Sequence, residues 1–399
     1  LLLLAVPLIP VVIMLVMMVA KRLLSRYFDI YYGLGDSFLE KLQGMTTLKI
    51  YQADRAAAED MDRESERFRK ITMKVLTMQL NSTSVMDIIA YGGAAVGIVS
   101  ALTHFASGEL SLAGVLMFIL LAAEFFLPMR ILGSFFHIGM NGMKASDRIF
   151  AFLDLPEPEL GKAELGAGQI DICMEQLSFS YEESRPILKG ITLELPAQSF
   201  VSLVGVSGSG KSTIAGILMG RNRGYGGSLR LNGEELSRIS TESLMDRLTM
   251  VGHDSWFFRA SVRENLLLAK PEATELEMKE ALRKVNLLAF IEAQGGLEMQ
   301  LASNAGNLSG GQKQRLALAR ALLHDTPVYI FDEASSNIDA ESEEMIMKVI
   351  HELTKSRTVL LISHRLANVV DSDKIYMLKD GKIAEAGSHA ELMRQAGAY

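Results

Sequence analysis

FVSLVGVSGSGKSTIAGILMG, residues 200–220, reads as a buried strand, a glycine-rich turn and the start of a helix. Gly205, Gly208, Gly210, Lys211 and Ser212 fit the pattern G-x-x-x-x-G-K-[ST], and Thr213 follows. Glycines let successive backbone N–H groups converge on a phosphate with no Cβ in the way. The helix that begins there adds the positive end of its dipole. The loop, with Ser207 and Ser209 inside it, is therefore expected to hold a nucleotide. Lys211 is expected to reach the β/γ-phosphates, and Ser212 to offer its hydroxyl to Mg2+.

Downstream, PVYIFDEASSNID (327–339) supplies a partner strand. Its apolar run from Val328 to Phe331 suits a central parallel strand. It ends in Asp332 and Glu333 at the carboxyl edge, where such sheets bind ligands. Asp332 suits a Mg2+-linked role and Glu333 a water-polarising one. TVLLISH (358–364) is a second buried strand, carrying His364 to the same edge. A lone histidine is more often structural; beside these motifs His364 reads as a donor to a γ-phosphate. NLSGGQKQRLALARALL (307–323) opens a second helix with glycines, through Ser309, Gly310, Gly311 and Gln312. Two phosphate-binding helix starts in one chain suggest that the second serves a nucleotide on another subunit.

The first half differs. LLLLAVPLIPVVIMLVMMVA is uncharged for twenty residues before Lys21 and Arg22, long enough to span about 30 Å of hydrocarbon. A signal peptide would need a basic start, a shorter apolar core and a small-residue cleavage site. The opening is instead read as a membrane helix entered at or near its start. Further apolar stretches run from about 84 to 105 and from about 110 to 127, giving about three spans. The Lys/Arg-rich segment between the first two belongs on the cytoplasmic side, and the short turn at 106–111 on the other. That charged segment reads either as two helices continuing the spans, with a short transverse helix near 37–47 broken at Gly44, or as a solvated loop. Glu124 lies in the third span, which ends near Leu127–Arg130; it either lines a substrate path or pairs with Arg130.

DLPEPELGKAELGAGQ (154–169), with its prolines and glycines, marks a linker. The expected domains are thus a membrane region over 1–150, a linker over 151–168 and an α/β domain over 169–399. The net charge of −7 argues against a nucleic-acid partner. The single cysteine, Cys173, excludes an internal disulfide and is given no role.

On these motifs the chain resembles an ABC exporter half-transporter: an α-helical transmembrane domain, here partial, followed by an α/β P-loop nucleotide-binding domain. The loop GVSGSGKST, the signature LSGGQ, the FDE strand end, the SNID loop and the histidine of ISHRL all occur in family order. The resemblance implies a multi-pass protein of the bacterial cytoplasmic membrane that binds and hydrolyses ATP with Mg2+. Two such chains would stack head to tail, each ATP lying between one P-loop and the opposite Ser309–Gln312. It gives Tyr181 an adenine-stacking role, Asp339 a link across the dimer, Glu333 the catalytic carboxylate and the 37–47 stretch a coupling role. FLEKLQGMTTLKIYQA, FRKITMKVL and LLAAEFFLPMRILGSFFH look like the CydD-type subunit of thiol exporters that support cytochrome bd assembly. That implies cysteine or glutathione as substrate and a CydC-like partner, with a homodimer as the alternative assembly; a lipid or multidrug exporter, or a membrane-bound regulatory subunit with weak ATPase activity, is the alternative function.

Two positions depart from the exporter pattern. His253, in TMVGHDSWFF (249–258), replaces the usual glutamine near magnesium and the attacking water. Mg2+ prefers hard oxygen ligands, whereas imidazole offers nitrogen. ATPase activity is expected to be reduced but real, with altered coupling. Ser303 stands where many exporters have a glutamate. Trp256, Phe257 and Phe258 are read either as an apolar surface near the coupling helix or as core.

Overall fold

The computed structural model describes the backbone of residues 8–157, 161–182, 184–335, 338–395 and 397–399, and side chains from Arg22 onward except at 123–130, 132–134, 136–138, 140, 141 and 144 within those stretches. It divides into two compact units, Leu1–Glu157 and Pro158–Tyr399.

The first unit is helical: α1 (Leu8–Gln43), α2 (Met45–Ile50), α3 (Asp54–Ala106) and α4 (Leu112–Leu153). The buried residues of α3 are Ile71, Val75, Ser82, Met86, Ala90, Gly97 and Ala101. Their spacing traces one face of a 3.6-residue helix. Val75 packs with Leu24 of α1, and Phe68 meets Tyr27 and Tyr31 at ring distances of 5.7 and 5.8 Å. A bond of 2.6 Å from Lys41 to Asp60 closes the far end of the α1–α3 pair. Ser111 caps α4 by accepting from the Gly114 N–H at 3.1 Å.

The charged segment takes its helical reading and not the loop, because α1 runs on to Gln43 and α3 starts at Asp54. Two expectations change. The separate short helix is Met45–Ile50, so residues 37–43 belong to α1. The third helix does not end near Leu127–Arg130, because α4 passes through Pro128 to Leu153. Among the described residues one helix, Asp54–Ala106, is long and apolar enough to cross a membrane. Of the first expected span, residues 1–7 and all the side chains lie outside the described residues, as do the side chains of Glu124 and Arg130.

The second unit holds two sheets. The antiparallel one has the order β2–β1–β4–β5, from β1 (Ile172–Glu182), β2 (Arg185–Leu195), β4 (Gly226–Leu231) and β5 (Glu234–Glu235). The other has the order β10–β9–β3–β8–β7–β6, from β3 (Phe200–Gly205), β6 (Leu248–Gly252), β7 (Val328–Asp332), β8 (Thr358–Ile362), β9 (Lys374–Lys379) and β10 (Lys382–Gly387). Strands β9, β3, β8, β7 and β6 run parallel. Its helices are α5 (Lys211–Leu218), α6 (Thr241–Arg247), α7 (Val262–Leu267), α8 (Glu275–Lys284), α9 (Leu288–Ala293), α10 (Gly310–His324), α11 (Ala340–Thr354) and α12 (His389–Gln395).

Strand alternation splits the apolar residues between two cores. In β7, Val328 and Ile330 face the core shared with the antiparallel sheet and α5; Tyr329 and Phe331 face the core shared with α10 and α11. In β8, Leu360 and Ile362 take the first side, Val359 and Leu361 the second. Burying a side chain such as Phe331 contributes about 1.5–3 kcal/mol. The parallel register aligns Gly252 with Asp332 and Asp332 with Ile362. The residues just beyond these positions therefore emerge side by side at one edge.

The linker is shorter than 151–168. Residues 151–153 end α4, and Ala163 already bonds Arg238 O (2.8 Å) and the Ser240 N–H (2.9 Å). The Leu165 N–H donates to Ser243 Oγ at 2.8 Å.

Candidate functional site

The loop after β3 is built around left-handed glycines. Gly205, Gly208 and Gly210 have φ of 148°, 80° and 106°. A Cβ on Gly205 would lie 2.2 Å from Leu378 O, and one on Gly210 would lie 2.6 Å from a Leu188 methyl. Gly208 has open space around it. Ser209 is buried with its hydroxyl unpartnered. A buried hydroxyl costs free energy unless it gains a partner; a phosphate oxygen would supply one. Lys211 donates to Gly205 O at 2.8 Å and Val206 O at 3.0 Å. Burial lowers its pKa, opposed by the charges of Glu333 and Asp332. The chemistry suits an anionic ligand, whose charge would offset that desolvation.

Ser212, the second residue of α5, donates to Asp332 Oδ1 at 3.1 Å. Asp332 is buried, and burial raises its pKa; the Ser212 hydrogen bond opposes the rise. The pair offers two hard oxygen donors, which fits Mg2+ with phosphate oxygens and water completing the shell. Glu333 takes a left-handed conformation with φ 52°, and its N–H donates to Ile362 O at 3.0 Å. A non-glycine residue there carries about 1–3 kcal/mol of strain. His364 Nδ1 lies 3.7 Å from Glu333 Oε1. His253 follows Gly252 at the end of β6, the strand paired with β7. Lys211, Ser212, Asp332, Glu333, His364 and His253 thus gather at one sheet edge.

Tyr181 is the penultimate residue of β1, 63% exposed, with its ring edge-on to Phe179 at 5.0 Å. Its hydroxyl is 3.4 Å from Thr213 Oγ1 and accepts from Asn222 Nδ2 at 3.2 Å. An exposed ring anchored to the phosphate-loop helix suits stacking on a base.

The signature forms its own unit. Ser309 accepts the Gln312 N–H at 3.2 Å, and Gln312 Oε1 accepts the Ser309 N–H at 2.9 Å. This reciprocal cap starts α10. Gly311 is forced to be small: a Cβ there would meet Ser342 Oγ at 2.3 Å and Asp339 Oδ2 at 2.7 Å. Asp339 caps α11 by accepting the Ser342 N–H at 2.8 Å, and that bond lowers its pKa. Ser207 lies within the loop, and no described bond gives it a partner.

Several contacts escape motif reading. His253 Nε2 lies 2.9 Å from Asp254 Oδ2, on an exposed turn. Gln314, buried on α10, donates to Gly252 O at 2.9 Å, tying the signature helix to the strand that leads into His253. The aromatic trio splits: Phe257 is fully buried in the core, under the Arg320 guanidinium at 4.6 Å, whereas Trp256 and Phe258 are exposed. Ser303 opens a short turn in which Asn304 is left-handed.

Fold and site define a P-loop ATPase joined in one chain to a unit of long helices. Residues 188–336 match the family described as ABC transporter, and residues 1–129 the ABC transporter transmembrane region. An uncharacterized ABC transporter ATP-binding protein of Haemophilus influenzae is 50% identical over 400 residues, covering 100% of this chain and 71% of that protein. The glutathione/L-cysteine transport system ATP-binding/permease protein CydD of Escherichia coli is 35% identical, covering 98% and 69%. An ATP-dependent lipid A-core flippase of Chromobacterium violaceum is 32% identical, covering 90% and 62%. In fold, the structure of a bacterial Atm1-family ABC exporter with ATP bound superposes at a TM-score of 0.92 with 24% identity, covering 99% of this chain and 70% of that one.

The chain belongs to the ABC transporter family. It is an exporter half-transporter, with membrane region and ATP-hydrolysing domain in one polypeptide, and such halves work as dimers.

Proposed function

We propose that the chain is one half of an exporter that uses ATP to move low-molecular-weight thiols, cysteine or glutathione, across the bacterial cytoplasmic membrane. Its partner would be a CydC-like half-transporter, and its ATPase domain would face the cytoplasm. The observation that carries this reading is the 35% identity to CydD over 407 residues. A second reading, a lipid flippase, draws on the 32% identity to the lipid A-core flippase over 363 residues. A homodimer is the alternative assembly.

In the proposed mechanism the N–H groups of Gly205–Thr213 and the Lys211 ammonium bind the phosphates. Tyr181 stacks on adenine. Ser212 and Asp332 would hold Mg2+, which when bound neutralises charge on the β- and γ-phosphates. Glu333 takes the proton of a water attacking the γ-phosphorus as the bond from that phosphorus to the β,γ-bridging oxygen breaks and ADP leaves with that oxygen, and His364 donates a hydrogen bond to the γ-phosphate. His253 orients water or a phosphate oxygen through nitrogen. Ser309–Gln312 would close over the partner's ATP, with Asp339 joining the two sites. Because phosphoryl transfer depends on positioning and charge, a histidine at 253 slows the reaction without abolishing it. Closure of the two ATPase domains would reach the membrane helices through Met45–Ile50, a ligand-biased two-state switch.

Inside-out vesicles carrying the chain and its partner test the substrate. ATP-dependent uptake of labelled cysteine or glutathione supports the thiol reading. ATP-dependent lipid movement without thiol uptake overturns it in favour of a flippase.

A further inference from the structure

The turn that follows Glu333 and the turn that follows His364 meet at one carboxylate, Glu343, in the first helical turns of α11. Asn368 Nδ2 donates to Glu343 Oε1 at 3.0 Å, and Ser335 Oγ donates to the same oxygen at 3.4 Å. Arg365 pairs with the other oxygen, Oε2. The Glu343 side chain is only 14% exposed. Ser335 lies two residues after Glu333, and Arg365 directly follows His364. The Arg365 turn is wound tight, with its N–H donating to Ser363 Oγ at 3.0 Å. Nothing in the helix itself requires this arrangement, because Asp339 already caps α11. Asp339 is also the group that crowds Gly311 of the signature. One rigid helix start therefore touches the signature at one end and both catalytic turns at the other.

We propose that Glu343 is a positioning residue for ATP hydrolysis. It holds the Glu333 turn and the His364 turn in register, and it carries the position of the signature, through Asp339, to His364. A shielded carboxylate suits the task, since charge-assisted hydrogen bonds are stronger and more directional than neutral ones. A shared acceptor also makes the two turns move together. This inference rests on the assignment of Glu333 and His364 to the hydrolytic site.

The test is steady-state ATP hydrolysis by the assembled full-length transporter in lipid nanodiscs, with E343Q, E343A, H364A, the double variant E343Q/H364A, and E333Q. E343Q keeps one acceptor oxygen, for Asn368 and Ser335, and replaces the charged oxygen that accepts from Arg365 with an NH2 group. It is expected to lower kcat about tenfold with KM for ATP within about twofold, and E343A to lower kcat further. On the H364A background, E343Q is expected to add no further loss, since it acts through His364. Wild-type kcat in both Glu343 variants overturns the inference. So does a rise in KM at unchanged kcat, or a loss that multiplies on the H364A background. E333Q separates the levels: wild-type turnover in E333Q would sink the underlying site assignment, whereas abolished turnover there with normal turnover in both Glu343 variants sinks this inference alone.

Discussion

Ser212 Oγ donates to Asp332 Oδ1 at 3.1 Å, joining the phosphate loop to the end of β7 across 120 residues of chain. The carboxylate is buried, and burial raises its pKa. A folded acid with a raised pKa keeps its proton to higher pH than the unfolded chain does. Stability from this group is therefore full below the unfolded value of about 3.9 and is lost as pH rises through the folded value. At neutral pH the ionised group is a cost. Nucleotide-free Asp332→Asn is expected to melt above wild type at pH 7, with the gain shrinking on acidification. Its Mg2+-dependent ATP turnover is expected to fall about 10–100-fold. A lower melting temperature at pH 7 would contradict the assignment of Asp332 as a charge waiting for a cation.

His253 leaves the ATPase active in this account. His253→Gln supplies an amide oxygen, the harder ligand, and is expected to raise ATP turnover above wild type. Thiol or lipid moved per ATP is expected to change as well. Turnover equal to wild type in His253→Gln would show that the imidazole does not limit the reaction.

Gln314 holds Gly252 O from the signature helix at 2.9 Å, and Ser255 Oγ reaches the same carbonyl at 3.2 Å. Because one partner remains, Gln314→Ala is expected to cost about 1 kcal/mol. In a unit of this size that shifts the melting temperature by about 2–4 °C. Hydrogen exchange is expected to quicken first at 253–256, directly beyond the released strand end.

Gly311→Ala places a methyl group 2.3 Å from Ser342 Oγ and 2.7 Å from Asp339 Oδ2. Something must move, at about 1–3 kcal/mol. Turnover by the assembled transporter is expected to fall while ATP binding at the phosphate loop persists, because Lys211 and its loop lie outside the crowded contact. Loss of binding together with turnover would place Gly311 in the same nucleotide site as Lys211.

Motif spacing made the phosphate loop, strand end and signature legible, because each needs fixed residue types at fixed offsets. Glycines with positive φ at 205, 208 and 210 are what that spacing demands. The limits of the membrane-side helices were harder to read. Composition locates apolar stretches but does not mark where a helix stops, and α4 runs 42 residues through Pro128. The short helix shifted to Met45–Ile50 because Gly44 breaks the chain just before it. Phe257 could not be told from its exposed neighbours, Trp256 and Phe258, because three adjacent aromatics carry no period. Gln314 and Glu343 were invisible for another reason: their partners, Gly252, Arg365 and Asn368, lie 62, 22 and 25 residues away.

The central claim is that Glu333 drives ATP hydrolysis from this edge of the sheet. The most direct test is ATP turnover by the assembled transporter carrying Glu333→Gln, with ATP binding measured alongside. The account predicts that binding survives while turnover falls by about 100-fold or more. Turnover equal to wild type would contradict it.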